Sequence, residues 1–375
     1  MPTPPSHLFF PLADATPSVG LSEPNPRVAC VITSPSGEVI AQGHTQQAGG
    51  PHAEIMALRA ATAAGRSVRG ATAYVTLEPC AHHGRTPPCC DALIEAGLAR
   101  VVVALGDPNP RVAGQGLARM RAAGMQVEVL PADHPAAIEA RELNIGFLSR
   151  MVRGLPWVRL KVAGSLDGRT ALPNGVSQWI TSPEARADGH AWRKRAGALL
   201  TGIGTVLEDD PRLDVRLVPT ERQPVRVIVD ARLQTPAKAR ILQPPGTVWV
   251  YTAADPATSA ARRTELQAAG ATVIDCPGPH GKVDLAAMLR DLAAREINEL
   301  HVEAGHKLNG SFLREGLVDE LLLYLAPKLL GEGAGLAALG PFEALHQAPG
   351  FAFLDVQRIG PDLRLRARPP GRDAF

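Results

Sequence analysis

The sequence predicts an α/β protein built as two successive domains, and three observations carry that expectation. With 375 residues the chain is too long for one comfortable core, at about 100–200 residues per domain. Short apolar runs of strand length alternate with segments of helix length. That alternation then restarts after Met151-Val152-Arg153-Gly154-Leu155-Pro156, a basic joint punctuated by Gly and Pro, so boundaries of 1–150 and 151–375 are expected.

In the first half, RVACVIT (27–33) reads as a buried strand, and Ser34-Pro35-Ser36-Gly37 turns the chain into EVIAQG (38–43). HAEIMALRAATAAG (52–65) has helix composition and ends on Gly65. The strand TAYVTL, the helix CCDALIEAGL, the strand VVVAL and the Asp107-Pro108-Asn109-Pro110 turn follow. A helix closed by Gly124, the strand QVEVL and a helix IEARELNIGFL complete an α/β domain with a largely parallel sheet. The second half offers WVRLKVAG, a polar helix SPEARADGHAWRKRAG, the strands ALLTG, VRVIVD and TVWVYT, and a helix over 256–269. ATVID, a helix over 284–294, ELHVEAG, a helix near 307–316 and LLLYLAP come next. FAFLDVQRI and DLRLRAR alternate like an antiparallel pair, so this sheet is expected to be mixed.

Composition narrows the function. A 45% hydrophobic and 20% charged balance is that of a folded chain, and a net charge of +2 argues against a nucleic-acid coat or a membrane surface. No run approaches the roughly 18 apolar residues of a membrane span, and the Pro-rich start lacks a basic region before its short apolar patch. Four of the five cysteines fall at 30, 80, 89 and 90, and such clustering reads as metal binding or catalysis in a reducing compartment. A cytoplasmic location is expected.

The chemistry-bearing constellation is His52 and Glu54 opening a helix, Cys80 after a strand, and Cys89 at the next helix start. Catalytic zinc takes three protein ligands and keeps one position open. One imidazole and two thiolates satisfy it. A helix N-terminus favours the Cys89 thiolate and an ionised Glu54. Glu54 lies too close to His52 to share its helical face and is free to move protons between an attacking water, a ring nitrogen and a leaving amine. The H-x-E … P-C … C order matches the zinc nucleobase-deaminase signature, except that AHHGRTPP separates the cysteines where two residues are usual. The longer loop suggests a substrate bulkier than a bare nucleoside. His82 and His83 are competing ligands, whereas Cys30 and Cys90 read as small buried hydrophobes.

With these residues in view, ATAYVTLEPCAHHGRTPPCCDALIEAGLARVVVALGDPNPRVAGQG resembles the deaminase half of the bifunctional riboflavin biosynthesis family. KVAGSLDGRTALPNGVSQWITSPEAR, GIGTVLEDDPRLDVR and HVEAGHKLNGSFLREGLVDELLLYLAPKLLG resemble its reductase half, in the same order. The resemblance runs from Pro24 onward. It implies a cytidine-deaminase-like three-layer α/β/α domain followed by a dihydrofolate-reductase-like α/β domain. It also implies deamination of diaminohydroxyphosphoribosylaminopyrimidine, then NADPH-dependent reduction of 5-amino-6-(5-phosphoribosylamino)uracil to the ribityl compound. By this likeness His52, Cys80 and Cys89 bind Zn2+, Glu54 handles the proton, and Asn25 and His44 lie near the deaminase substrate. Two departures stand out: Ala29 occupies a position usually Gly, and Pro11 and Pro17 break the helix expected before Pro24-Asn25-Pro26.

The second half has no G-x-G-x-x-G after a strand, so its cofactor site rests on the resemblance. Gly202-Ile203-Gly204-Thr205 and the Gly305 segment read either as turns or as places where backbone amides meet a phosphate. The resemblance assigns NADPH contacts to Ala163, Trp179, Thr205, Asp209, Ala231 and Gly305, His306, Lys307, Leu308, Asn309, Gly310 and Ser311. Trp179 suits a core position equally well. Ala231 stands where Ser is common, and the neighbouring Arg232 would serve the 2′-phosphate. The resemblance places substrate at Ser177, Arg193, Leu213, Arg216 and Glu303; by itself, Arg193 within WRKR reads as a solvated helix face. Lys161 and Glu303, each expected at a strand end, are the candidates for the proton donor of hydride transfer. The partners implied are small phosphorylated pyrimidines and further copies of the chain, as a homodimer or homotetramer. The rival readings are a nucleic-acid or nucleoside deaminase with a non-catalytic C-terminal binding domain, and a structural zinc module fused to a ligand-binding domain.

Overall fold

A computed structural model describes residues 12–82, 87–109 and 113–375. The chain divides into two units, one reaching to Arg153 and the other spanning Gly154–Ala374.

The first unit begins with a 3-10 helix, Leu12–Ser18, that contains Pro17; Pro11 lies outside the described residues. Then follow β1 (Ala29–Thr33), β2 (Val39–His44), α1 (Ala53–Ala63), β3 (Thr72–Val75), α2 (Cys89–Glu95), β4 (Arg100–Val103), α3 (Gln115–Ala122), β5 (Gln126–Val129), α4 (Pro135–Leu143) and α5 (Ile145–Arg153). The sheet order is β2-β1-β3-β4-β5. The expected largely parallel sheet is half antiparallel: β1 runs against both β2 and β3, while β3, β4 and β5 are parallel. The short Ser34–Gly37 turn can only reverse the chain, whereas α1 is the crossover that a parallel return requires. One sheet face, with Cys30, Ile32, Ala73, Val75, Val101 and Val103, packs on α1, α2 and α3. The other presents Tyr74 and Val102 to α4. Cys30 and Cys90 are buried as read.

Two expectations near the boundary need correction. IEARELNIGFL is not one helix but the end of α4 and the start of α5, divided at Asn144. The Asn144 side chain leaves the helix to accept the Arg27 N–H at 2.7 Å and to donate to the Arg27 carbonyl at 2.9 Å. The joint also starts later than expected, because α5 continues through Arg153 until Gly154 adopts φ +67°.

The second unit contains β6 (Trp157–Ser165), β7 (Arg169–Ala171), α6 (Pro183–Arg195), β8 (Ala198–Gly202), α7 (Ile203–Asp209), β9 (Val225–Val229), β10 (Val248–Thr252) and α8 (Pro256–Ala268). It continues with β11 (Ala271–Asp275), α9 (Leu285–Ala294), β12 (Glu299–Val302), α10 (His306–Arg314), β13 (Glu320–Ala326), β14 (Ala334–Gly335), β15 (Ala352–Ile359) and β16 (Asp362–Arg368). Nine strands form one mixed sheet, β11-β10-β9-β8-β12-β6-β13-β16-β15, parallel as far as β13 and antiparallel beyond it. β7 and β14 pair separately. The polar helix α6 starts where its sequence says it should: Ser182 caps it by accepting the Ala185 N–H at 3.2 Å, with Pro183 in the first turn.

The centre of this sheet has two unlike faces. Val158, Leu160, Leu300 and Val302 pack on α9 and on Phe312 of α10 as an ordinary apolar core. The opposite face carries Arg159, 1% exposed, which holds Glu299 and Glu320 at 2.7 Å each. Arg195 also reaches Glu299 (2.8 Å), Arg368 reaches Glu320 (2.8 Å), and the Arg159 guanidinium lies 4.5 Å from the Trp192 ring centre. Burying such charges is tolerable only because several partners share each one.

Candidate active sites

His52 is the residue before α1 and leaves its side chain free of any capping duty. Gly43 lets that helix settle on β2: a Cβ there would lie 2.4 Å from the Ala53 carbonyl oxygen and the Ala57 nitrogen. Cys80 follows β3, and Cys89 is the first residue of α2. The three candidate donor atoms lie within 4.8 Å of one another. His52 Nδ1 is 3.6 Å from Cys80 Sγ and 3.3 Å from Cys89 Sγ. Zinc–sulfur and zinc–nitrogen bonds of about 2.3 and 2.0 Å at a tetrahedral angle put such atoms about 3.5 Å apart. The residues therefore fit the metal. His82 is exposed and stands outside this group, while His83 lies outside the described residues.

The two sulfurs share a proton, and the first amide of α2 serves the neighbouring sulfur rather than its own: the Cys89 backbone N–H donates to Cys80 Sγ at 3.3 Å. Glu54, 3% exposed, is pushed up to about 7 by burial and then by Cys80, which outweighs the helix N-terminus. It also hydrogen-bonds Cys89.

Asn25 lies just ahead of β1, its N–H on the Ser22 carbonyl, and His44 ends β2 opposite Ala29. The methyl of Ala29 is accommodated: the residue is buried and its N–H donates to Thr76 Oγ1 at 3.0 Å. Two groups went unread in the sequence. Glu78 is buried and accepts the backbone N–H groups of Asp107, Gly114 and Leu117, tying the loop after β4 to the Cys80 segment. Asp107, read only as a turn residue, is pushed up to about 6 by burial.

In the second unit the carboxyl ends of parallel strands gather the predicted residues. Thr205 follows β8, Ala231 follows β9, and Glu303 and Gly305 follow β12. The order of the strands reverses here, since β12 returns to lie between β8 and β6, the place where open parallel sheets bind ligands. Gly305 precedes α10 without a side-chain cap, and a Cβ on it would lie 3.8 Å from Thr205 Oγ1, so the first turns of α7 and α10 are neighbours. The uncapped first turn of α10 fits a dinucleotide phosphate. Ala163 lies in β6, His306 to Ser311 form the first turns of α10, and Asp209 ends α7 with an exposed carboxylate. Arg232 is exposed beside Ala231.

Lys161 is placed differently from expectation, and for Trp179 and Arg193 the structure removes one of two readings. Lys161 lies in the middle of β6, not at a strand end, because β6 continues to Ser165 to pair with all of β13. Trp179 is not core: it is 60% exposed, with the Arg186 guanidinium 4.6 Å from its ring. Arg193 is not on a solvated face. Its Nε and Nη2 hold Glu303 at 2.5 and 2.9 Å, and its Nη1 donates to the Asp214 carbonyl at 2.9 Å. Lys161 Nζ sits 3.6 Å from the same Glu303 carboxylate, which these two cations keep well below the usual carboxylate range in spite of burial. Leu213, at φ +47°, is buried; Arg216 binds Asp214 at 2.7 Å, and Ser177 is half-buried.

A His/Cys/Cys set that fits zinc beside a buried carboxylate, joined to a mixed-sheet unit whose central parallel strands end near an uncapped helix start, defines a deaminase–reductase. The family described as the cytidine and deoxycytidylate deaminase zinc-binding region matches residues 9–105, and the RibD C-terminal domain matches residues 156–365. The chain is 47% identical to riboflavin biosynthesis protein RibD of Escherichia coli over 92% of its length and 93% of that protein. It is 40% identical to RibD of Aquifex aeolicus, over 96% of each. Acinetobacter baumannii RibD has the same fold (TM-score 0.86, 41% identity, 97% and 98% covered). So has the diaminohydroxyphosphoribosylaminopyrimidine deaminase/5-amino-6-(5-phosphoribosylamino)uracil reductase of Thermotoga maritima (TM-score 0.83, 33% identity, 97% of each). The chain belongs to the RibD family of bifunctional riboflavin biosynthesis enzymes, with a zinc-dependent deaminase and an NADPH-dependent reductase.

Proposed function

We propose that residues up to 150 deaminate the phosphoribosylated diaminopyrimidine and that residues 151–375 reduce the resulting aminouracil. His52, Cys80 and Cys89 would hold zinc, which supplies Lewis acidity to the hydrolysis. Glu54 accepts one proton from the attacking water and delivers it to the ring nitrogen, then takes the remaining hydroxyl proton and passes it to the amine, which departs as ammonia. The observation that carries this reading is a carboxyl buried beside three metal donors and hydrogen-bonded to one of them, Cys89, where it is placed to pass protons. Asn25 and His44 bind the pyrimidine.

In the reductase, NADPH carries the hydride to the first carbon of the opened ribose. Ala163, Trp179, Thr205, Asp209, Ala231 and the 305–311 segment bind the cofactor, and Arg232 its 2′-phosphate. Ser177, Arg193, Leu213, Arg216 and Glu303 bind substrate. Of the two candidate proton donors, geometry favours Lys161, because Glu303 is held as a carboxylate by Arg193 and Lys161. Five free thiols support a cytoplasmic setting, and no helix among the described residues is long and apolar enough to cross a membrane. Exposed Phe353 and Val356 on the edge strand β15 support a homodimer or homotetramer.

The test supplies the phosphoribosylated diaminopyrimidine with and without NADPH and follows ammonia and NADPH separately. Ammonia without NADPH, and oxidation only after deamination, is the expected result. NADPH oxidation ahead of ammonia release would refute the order.

A further inference from the structure

A donor facing a donor in the reductase unit marks a contact that none of the assigned residues explains. His190 and Arg193 are three residues apart on α6 and share one face. The backbone N–H of Arg216 donates to His190 Nδ1 at 3.1 Å, so that nitrogen carries a lone pair and the neutral ring must carry its proton on Nε2. The ring is neutral: burial, Arg193 and Arg216 push its pKa down to about 4, against the opposing charges of Glu303 and Asp214. Yet Nε2 faces Arg193 Nη1 at 3.4 Å, and a guanidinium cannot accept.

Arg193 has a hydrogen to spare there. Its Nε and Nη2 bond Glu303, and one Nη1 hydrogen bonds the Asp214 carbonyl, leaving the second. The carboxylates nearby are already engaged: Asp214 by Arg212 and Arg216, Glu303 by Arg193 and Lys161. Two N–H groups therefore converge where His190 is only 5% exposed, and a buried donor without an acceptor is unfavourable. The Arg216 charge also acts on His190.

We propose that His190 is a substrate-binding residue of the reductase, its Nε2–H and Arg193 Nη1 sharing one oxygen of the substrate's phosphate monoester. The inference rests on the reading that the phosphorylated aminouracil binds at Arg193 and Arg216. Its consequence is a division of labour within one ring: Nδ1 fixes the 212–216 segment, and Nε2 reads the anion.

The experiment compares His190→Asn and His190→Gln with the parent enzyme in reduction of the deaminated substrate, using inorganic phosphate as competing probe. Asn can accept the Arg216 N–H but has no distal donor; Gln extends an N–H to the distal position. In H190N the KM for substrate and the inhibition constant for phosphate should each rise about tenfold, the loss of one hydrogen bond to a charged group, while kcat and the KM for NADPH change far less. H190Q should recover most of that loss. Unchanged KM and phosphate inhibition in H190N overturn the proposal, leaving His190 a clip with water beside it. Equal loss in H190Q also overturns it, since that is what a purely structural role produces. A parent enzyme that fails to reduce the phosphorylated substrate, or ignores phosphate, sinks the underlying substrate assignment instead.

Discussion

Glu54 and Glu303 are both glutamates in buried surroundings beside a reaction centre, yet they are tuned in opposite directions. Glu54 has the negative sulfur of Cys80 nearby and little solvent, and it rises to about 7. Glu303 lies between Arg193 and Lys161 and is held well below its usual range. Burial disfavours charge in both cases; the neighbours decide the outcome. One carboxyl is left able to move protons, and the other is fixed as an anion that orients cations.

The strongest way to break this contrast is Glu54→Gln. Ammonia release should fall by about 10²–10⁴, with zinc content intact and reduction of pre-deaminated substrate unaffected. Normal turnover by that variant would show that Glu54 carries no proton. Glu303→Gln should act differently. It leaves Arg193 and Lys161 without their shared anion, so reductase kcat/KM is expected to drop by about 10² while ammonia release continues. An unaltered reductase would mean that Glu303 merely balances charge.

Zinc affinity sharpens the picture from the sulfur side. Cys80 and Cys89 hold a proton between them, so binding the metal must displace it. The apparent affinity should then weaken by about tenfold for each unit of pH lost per proton displaced, measured by competition with a chelator. A pH-independent affinity would contradict a proton held by this pair. The smallest effect concerns His190, whose folded pKa of about 4 lies below its ordinary value of 6.5. Between those limits the unfolded chain binds the extra proton, so this stabilisation is complete above 6.5 and drains away as pH falls toward 4. The slope is at most about 1.4 kcal/mol per pH unit, and H190N should flatten it in denaturant titrations.

Most elements were legible because their signals are local. Ser182-Pro183 starts α6, and the apolar runs of β8 to β11 alternate with helix-length segments. The misread elements depended on distant partners. Asn144 divides α4 from α5 only because Arg27, far away in sequence, presents its backbone. The antiparallel pairing of β1 with β3 likewise follows from which strand it meets, whereas its reversal against β2 was already set by the Ser34–Gly37 turn. Arg193 illustrates the same limit at the site: WRKR looks solvated until β12 brings Glu303 beneath it.

The sequence by itself singled out the candidate zinc donors, the acid two residues beyond His52, and two rounds of alternating strands and helices, because those signals lie in residue type and short spacing. Only the tertiary structure decided which sulfur meets the first amide of α2, which way burial and neighbours shift each glutamate, and which nitrogen of His190 meets the Arg216 N–H. Protonation depends on what stands within a few ångströms of a group, and in a folded chain those neighbours come from segments far apart in the sequence.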